Sequence, residues 1–150
     1  MKDIVMKYSA LGRNDIDAIQ PLWEKLNAEH LSKSTYFKNH YANFTFEKRM
    51  KGLYKKEHLI AYTAEDNGEK IGYCIATADE NAGEIDSIYI NEEYRGKGVG
   101  KELILLALKW LENLKCETIR VSIAEGNEAV FDFYKKLGFA ERLTVMQKRE

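Results

Sequence analysis

The sequence predicts an α+β fold, a mixed and mostly antiparallel sheet covered by helices. Three observations carry this. Two strand-like runs flank Asp66-Asn67-Gly68, and Asn-Gly supplies the positive φ angles that a tight hairpin needs. A third run follows a second turn, completing an antiparallel meander. The hydrophobic period then becomes helical for a long stretch before one more strand-like run. Strand, helix and strand in that order imply a parallel crossover beside the meander.

The elements follow in order. Ile4-Val5-Met6 reads as a short first strand. Asn14 or Asp15 can cap a helix running toward Leu31, with Ile16, Ile19, Leu22, Trp23 and Leu26 on one face. Pro21 either kinks that helix or begins its second segment. A second helical region over 36–54 is rich in aromatics, the material of a helix core. Strands are predicted over 59–64, 71–78 and 84–90, the last after a turn at Asn81-Ala82-Gly83. Residues 100–115 form a helix with Leu103, Ile104, Ala107, Leu108, Leu111 and Leu114 along its apolar stripe. A strand over 118–124 follows, then a helix over 128–137 closed by Gly138, then a final strand over 142–148. With no repeat, linker or low-complexity stretch, residues 1–150 read as a single domain.

Composition narrows the partners. The 150 residues are 45% apolar and 31% charged, which suits a folded globular chain. Lys and Arg total 23 against 24 Asp and Glu, so no general affinity for nucleic acid or membrane is expected. The N-terminal residues lack the apolar core of a secretory signal, and no apolar run is long enough to span a bilayer; the expected location is cytoplasmic. Cys74 and Cys116 form no C-x-x-C pattern and read as small buried or half-buried side chains in a reducing compartment. His30, His40 and His58 have no metal-ligand spacing, so no metal is expected and they read as surface or half-buried residues. No G-x-S-x-G is present.

The stretch that carries chemistry is Tyr94-Arg95-Gly96-Lys97-Gly98-Val99-Gly100-Lys101, between a strand and a long helix. Alternating glycines bare the backbone N–H groups, and the helix N-terminus places the positive end of its dipole there. Arg95, Lys97 and Lys101 add positive charge, which makes a site for a phosphate or pyrophosphate. The Walker A pattern fails, because Gly96 and Gly100 enclose three residues and Glu102 follows Lys101 where a hydroxyl would bind magnesium. The G-x-G-x-x-G dinucleotide fingerprint fails too, since the third glycine comes one residue early.

Arg95-x-x-Gly98-x-Gly100 resembles the R/Q-x-x-G-x-G/A signature of the GNAT superfamily of acyl-CoA-dependent N-acetyltransferases. A second segment, Asn127 to Phe139, is similar to that family's N-x-x-A-x-x-L/F-Y-x-K-x-G-F motif, with Val130 where alanine is usual. The resemblance covers roughly residues 84–139 and implies a fold in which the fourth and fifth strands splay apart around the pantetheine arm of acetyl-CoA, the co-substrate. It further implies that backbone groups of Ile88, Tyr89 and Ile90 pair with the arm, and that N–H groups of Arg95, Gly96, Lys97, Gly98, Val99 and Gly100 hold the pyrophosphate. Asn127 would hydrogen-bond the arm near the thioester. Many relatives form dimers, and nothing in this sequence decides for or against a homodimer.

Transfer of an acetyl group to an amine sets three demands. Alkylamines titrate near about 10.4, so roughly one molecule in a few thousand is neutral at pH 7 and a proton acceptor is needed. The tetrahedral oxyanion needs a fixed N–H, which a bulge beside Ile88 to Ile90 can supply. The leaving thiolate needs an acid, and by position in the resemblance that is Tyr134. For the base, Glu84 lies eleven residues before Arg95, aligned with the glutamate of histone-acetylating members, or it is simply a solvated residue after a turn. Asp86, two residues on, shares its face, and a water relay is the remaining option. The expected activity is therefore acetyl transfer from acetyl-CoA to a primary amine of a small molecule or peptide by direct attack. The alternative is a non-catalytic acyl-CoA-binding or regulatory module on the same fold.

Overall fold

The computed structural model describes residues 5–150. Five strands, β1 (Met6–Leu11), β2 (His58–Asp66), β3 (Glu69–Asp79), β4 (Ala82–Ile90) and β5 (Thr118–Val121), form one sheet in sequential order. The first four pair antiparallel, and β5 joins β4 in parallel. The first strand begins later than its sequence expectation, and Ile4 lies outside the described residues.

The hairpins form as the turn chemistry requires. Asn67 and Gly68 take φ of +52° and +84° between Asp66 and Glu69, which face each other. The second turn uses Glu80-Asn81 and not Asn81-Ala82-Gly83, because Asp79 already pairs with Ala82.

Helices α1 (Gln20–Lys33), α2 (Lys38–Asn43), α3 (Phe46–Leu53), α4 (Val99–Asn113) and α5 (Phe131–Lys136) cover both faces. Pro21 stands in the first turn of α1, where its missing N–H breaks no bond, and a 3-10 turn at Ile16–Ile19 precedes it. The predicted helix over 36–54 divides in two at Phe44-Thr45. Thr45 is extended, and its hydroxyl accepts the Lys48 N–H at 3.2 Å, capping α3. One face of the sheet (Leu59, Ala61, Tyr73, Ile75 and Tyr89) packs on α1 and α3. The other (Ala64, Cys74, Ala76, Ala78 and Ile85) packs on α4 and α5.

Gly138, at φ +94°, ends α5. The Phe139 N–H returns to Tyr134 O and the Gly138 N–H to Lys135 O, the two bonds of a left-handed helix cap. The predicted final strand over 142–148 does not form. The segment pairs with no strand, and Leu143, Val145 and Met146 are exposed. The chain end is instead fixed at α2, where the Glu150 carboxylate accepts the N–H groups of Asn39 and His40, both at 2.9 Å. Among the described residues no helix is long and apolar enough to cross a membrane.

Candidate active site

β4 and β5 pair only from Ala82–Thr118 to Ile85–Val121, and beyond that the strands part. A cleft of about 740 Å³ opens in the gap, walled by Ile88 and Ile90 on one side and by Ser122 and Ile123 on the other. The Asn91 N–H bonds Ile71 O of β3 at 2.8 Å. Strand alternation then turns the backbone groups of Ile90 and Ile88 toward the gap. Tyr89 departs from its expected role: its backbone faces β3 opposite Tyr73, so it meets the cleft through its ring and not its amide.

A 3-10 turn at Glu92–Tyr94 leads from β4 into the glycine loop. Gly96 and Gly98 take φ of +77° and +84°, the left-handed backbone that glycine tolerates best. A Cβ at either would touch nothing within 4 Å, so the face above the bared amides is open. Gly98 caps α4, and the N–H groups of Val99 and Gly100 head a helix with no acceptor behind them. Such a concave run of amides binds an anion.

The cations of this loop divide their work. Arg95 is held inside the protein: Nε donates to Ile90 O at 2.8 Å, Nη2 meets Glu29 at 2.7 Å, and the guanidinium lies 5.1 Å from the Tyr89 ring centre. Lys97 does not line the cleft, because its ammonium sits over the Tyr94 ring, 5.6 Å from the centre. Lys101 does line it. The Tyr94 hydroxyl donates to Asp66 at 2.6 Å and ties the loop to the β2–β3 hairpin.

Asn127 reaches the cleft from the loop after β5, and its side chain makes no hydrogen bond among the described residues. That loop is seated firmly. Glu125 accepts the N–H groups of Thr35 and Tyr36, at 3.1 and 3.3 Å, and the Ser34 hydroxyl. These bonds, with the Ser34 hydroxyl foremost, hold its carboxyl below the usual range. Gly126 packs so closely on the end of α1 that a Cβ would lie 2.4 Å from Lys33 O.

Tyr134 is buried on α5, its ring edge-on to Phe133 and Phe139, at 5.1 and 5.6 Å between centres. It lines the cleft. Burial pushes its phenol up, so it is a protonated donor at neutral pH.

The carboxylates sit on a bulge. Ile75 faces Ser87 and Ala76 faces Ile85, leaving Asp86 as the extra residue of β4. Asp86 lines the cleft, accepts the Thr77 hydroxyl at 2.7 Å, and its carbonyl accepts the Arg49 guanidinium at 2.9 Å. Its other carboxylate oxygen is buried with no donor among the described residues. Burial and the adjacent Glu84 push its carboxyl up to about 7, against the opposing Thr77 and Arg49. Glu84 does not line the cleft, and its carboxylate also meets Arg120 at 3.4 Å.

Helices α1 and α2 close the far side. Trp23, Tyr41 and Phe44 line the cleft, whereas Phe46 is core and Tyr36 and Tyr54 are exposed. His30, expected to be an unremarkable histidine, also lines it, 5.4 Å from the Tyr41 ring; burial and then Lys33 hold its imidazole low. Cys74 is buried, and burial pushes its thiol up, away from nucleophilic use.

Comparison with known proteins decides the family. Residues 21–139 match the acetyltransferase (GNAT) family. The chain belongs to that family. It is 25% identical over 140 residues to an uncharacterized N-acetyltransferase of Methanocaldococcus jannaschii, covering 89% of this chain and 60% of that one. A second M. jannaschii N-acetyltransferase, also uncharacterized, is 33% identical over 86 residues, 54% of this chain and 53% of its own. The chain thus spans little more than half the length of these relatives. Its fold matches the aminoglycoside N-acetyltransferase AAC(6′)-Iy in complex with CoA, with a TM-score of 0.68, 18% identity and coverage of 99% and 97%. It also matches a ribosomal-protein-alanine N-acetyltransferase from Brucella melitensis biovar Abortus 2308, at 0.67, 20%, 97% and 99%.

Within the GNAT fold, the glycine loop, Asn127 and Tyr134 converge on one cleft between β4 and β5. Arg49 is one cleft residue that sequence reasoning missed. It lies 37 residues from Asp86, and no local pattern links them.

Proposed function

We propose that the chain, acting as one domain, is an N-acetyltransferase that moves an acetyl group from acetyl-CoA to a primary amine of a small molecule or peptide. The observation that carries this reading is the alignment of an open amide cradle with a parted strand pair, both walls of a single cleft. Solved neighbours in complex with CoA and with the aminoglycoside sisomicin support the same pairing of co-substrate and amine.

The cradle from Gly96 to Gly100 would take the pyrophosphate, with Lys101 screening its charge. The gap-facing backbone groups of Ile88 and Ile90 would pair with the pantetheine amides. Arg95 already occupies the Ile90 carbonyl, so it serves to fix the strand end and the loop. Asn127, with its amide unpaired, would steady the arm near the thioester. An N–H of the β4 bulge would stabilise the oxyanion of the tetrahedral intermediate. Tyr134 would protonate the departing thiolate, and a carboxylate at the β4 bulge would take the proton from the amine.

The test is calorimetry with CoA, ATP and NAD, followed by thiol release across a panel of primary amines. CoA should bind in the micromolar range and the others should not, and Gly98→Glu should weaken CoA by putting a carboxylate over the cradle. Tight ATP or NAD binding without CoA binding overturns the reading. CoA binding with no transfer to any amine leaves the non-catalytic module in its place.

A further inference from the structure

We propose that Asp86 is the catalytic residue that takes the proton from the acceptor amine, with Arg49 and Thr77 as positioning residues; this rests on the acetyl-transfer reading above. The sequence alone placed Glu84 first. The geometry reverses the order, because Asp86 is the extra residue of the β4 bulge at the point where β4 and β5 separate, and it lines the cleft. Glu84 pairs within the closed part of the strands, opposite Arg120, and its carboxylate meets that residue.

Every group that faces Asp86 fits the role. From β3, Thr77 donates to one carboxylate oxygen at 2.7 Å and fixes its orientation. From α3, Arg49 holds the Asp86 carbonyl at 2.9 Å and presents a cation nearby. From β4, Glu84 presents a like charge, itself partly answered by Arg120 of β5. Cys74 of β3 is a neutral neighbour, its thiol held protonated by burial and by Asp86. The second carboxylate oxygen of Asp86 has no donor among the described residues. That oxygen is buried beside Glu84, so the amine's proton reaches the carboxylate through one water admitted where Asp86 lines the cleft.

The step balances as follows. The acceptor arrives as an ammonium ion and gives one proton to Asp86. The freed lone pair forms the C–N bond at the thioester carbonyl, and the C–S bond breaks. The thiolate takes the Tyr134 proton, the second proton of the attacking nitrogen restores the Tyr134 hydroxyl, and Asp86 releases its proton to solvent. The sum is ammonium plus thioester giving amide, thiol and one proton.

The experiment is the pH dependence of kcat/KM for Asp86→Asn and Glu84→Gln beside the parent, with calorimetric CoA binding and a melting curve for each. For the parent, kcat/KM should rise with pH through about 7, where Asp86 ionises, and then level off. Asp86→Asn should lose on the order of a hundredfold at pH 7 while binding CoA and melting cooperatively. Its rate should keep climbing toward the amine's own value near about 10.4, because only amine already neutral can then react. Glu84→Gln should retain the plateau with its acid limb moved to lower pH, since a like charge beside Asp86 is gone. An Asp86→Asn variant that keeps the plateau, or a Glu84→Gln variant that shows the continued climb, overturns the assignment and leaves the transferase reading standing. If Asp86→Asn does not fold, the Glu84→Gln profile decides by itself. A parent that binds CoA and turns over no amine overturns both.

Discussion

Gly98 and Gly126 share the left-handed backbone, with φ of +84° and +90°, but not their surroundings. A Cβ at Gly98 meets nothing within 4 Å, whereas one at Gly126 would lie 2.4 Å from Lys33 O and 2.8 Å from its carbonyl carbon. Alanine at Gly98 therefore carries only the backbone term, about 1–2 kcal/mol. Alanine at Gly126 carries that and forced separation from a backbone that cannot rotate aside, about 1–3 kcal/mol more. At about 2–4 °C per kcal/mol for a chain of this size, Tm should fall by roughly 2–8 °C for Gly98→Ala and by roughly 4–20 °C for Gly126→Ala. Differential scanning fluorimetry of the two variants side by side reads this. Calorimetry should show the opposite order in one respect: the mild Gly98→Ala change places a methyl beside the amide cradle and should weaken CoA about tenfold or more, the equivalent of one charge-assisted hydrogen bond. Equal Tm losses would refute the claim that the loop bearing Asn127 is seated by direct contact with α1.

Three further outcomes are expected. Tyr134→Phe keeps the ring contacts and removes only the hydroxyl, so Tm should hold while kcat for thiol release falls by about a hundredfold. Arg49→Met removes a cation that favours the Asp86 carboxylate, so the acid limb of kcat/KM should move to higher pH and the rate at pH 7 should drop. Glu125 is a carboxyl held below its ordinary value, so its contribution to stability is present above about 4.5 and is lost as pH falls through the lower folded value. Glu125→Gln should therefore melt below the parent at pH 7, and the gap should close by about pH 3, followed by thermal melts across that range.

What was legible in the sequence was local. The Asn67-Gly68 turn, the glycine loop and the left-handed Gly138 cap each lie within a few residues, where backbone chemistry alone fixes the geometry. The final strand was not legible. Alternation over 142–148 describes two faces of a strand but says nothing of which edge will pair with it, and here none does. Arg49 stayed hidden because a cleft wall is assembled from α1, α3 and β4, which the chain visits far apart.

The bulge at Asp86 marks the boundary between the two cases most sharply. Under strict alternation Ile85 and Tyr89, four residues apart, would share a face of the sheet. They do not: Ile85 packs beneath α4, and Tyr89 packs against α1. One extra residue reverses every side chain that follows, as a one-residue slip in register would. It places Ile88 on the α4 face and keeps Glu84 and Ser87 on the other, where Ser87 meets the Tyr73 hydroxyl at 2.7 Å. A pattern of polar and apolar residues cannot announce such an insertion, because each half of β4 obeys the rule by itself. The rule breaks where the strands part and the unpaired carboxylate oxygen lies, and that coincidence is the reason to look for the chemistry there.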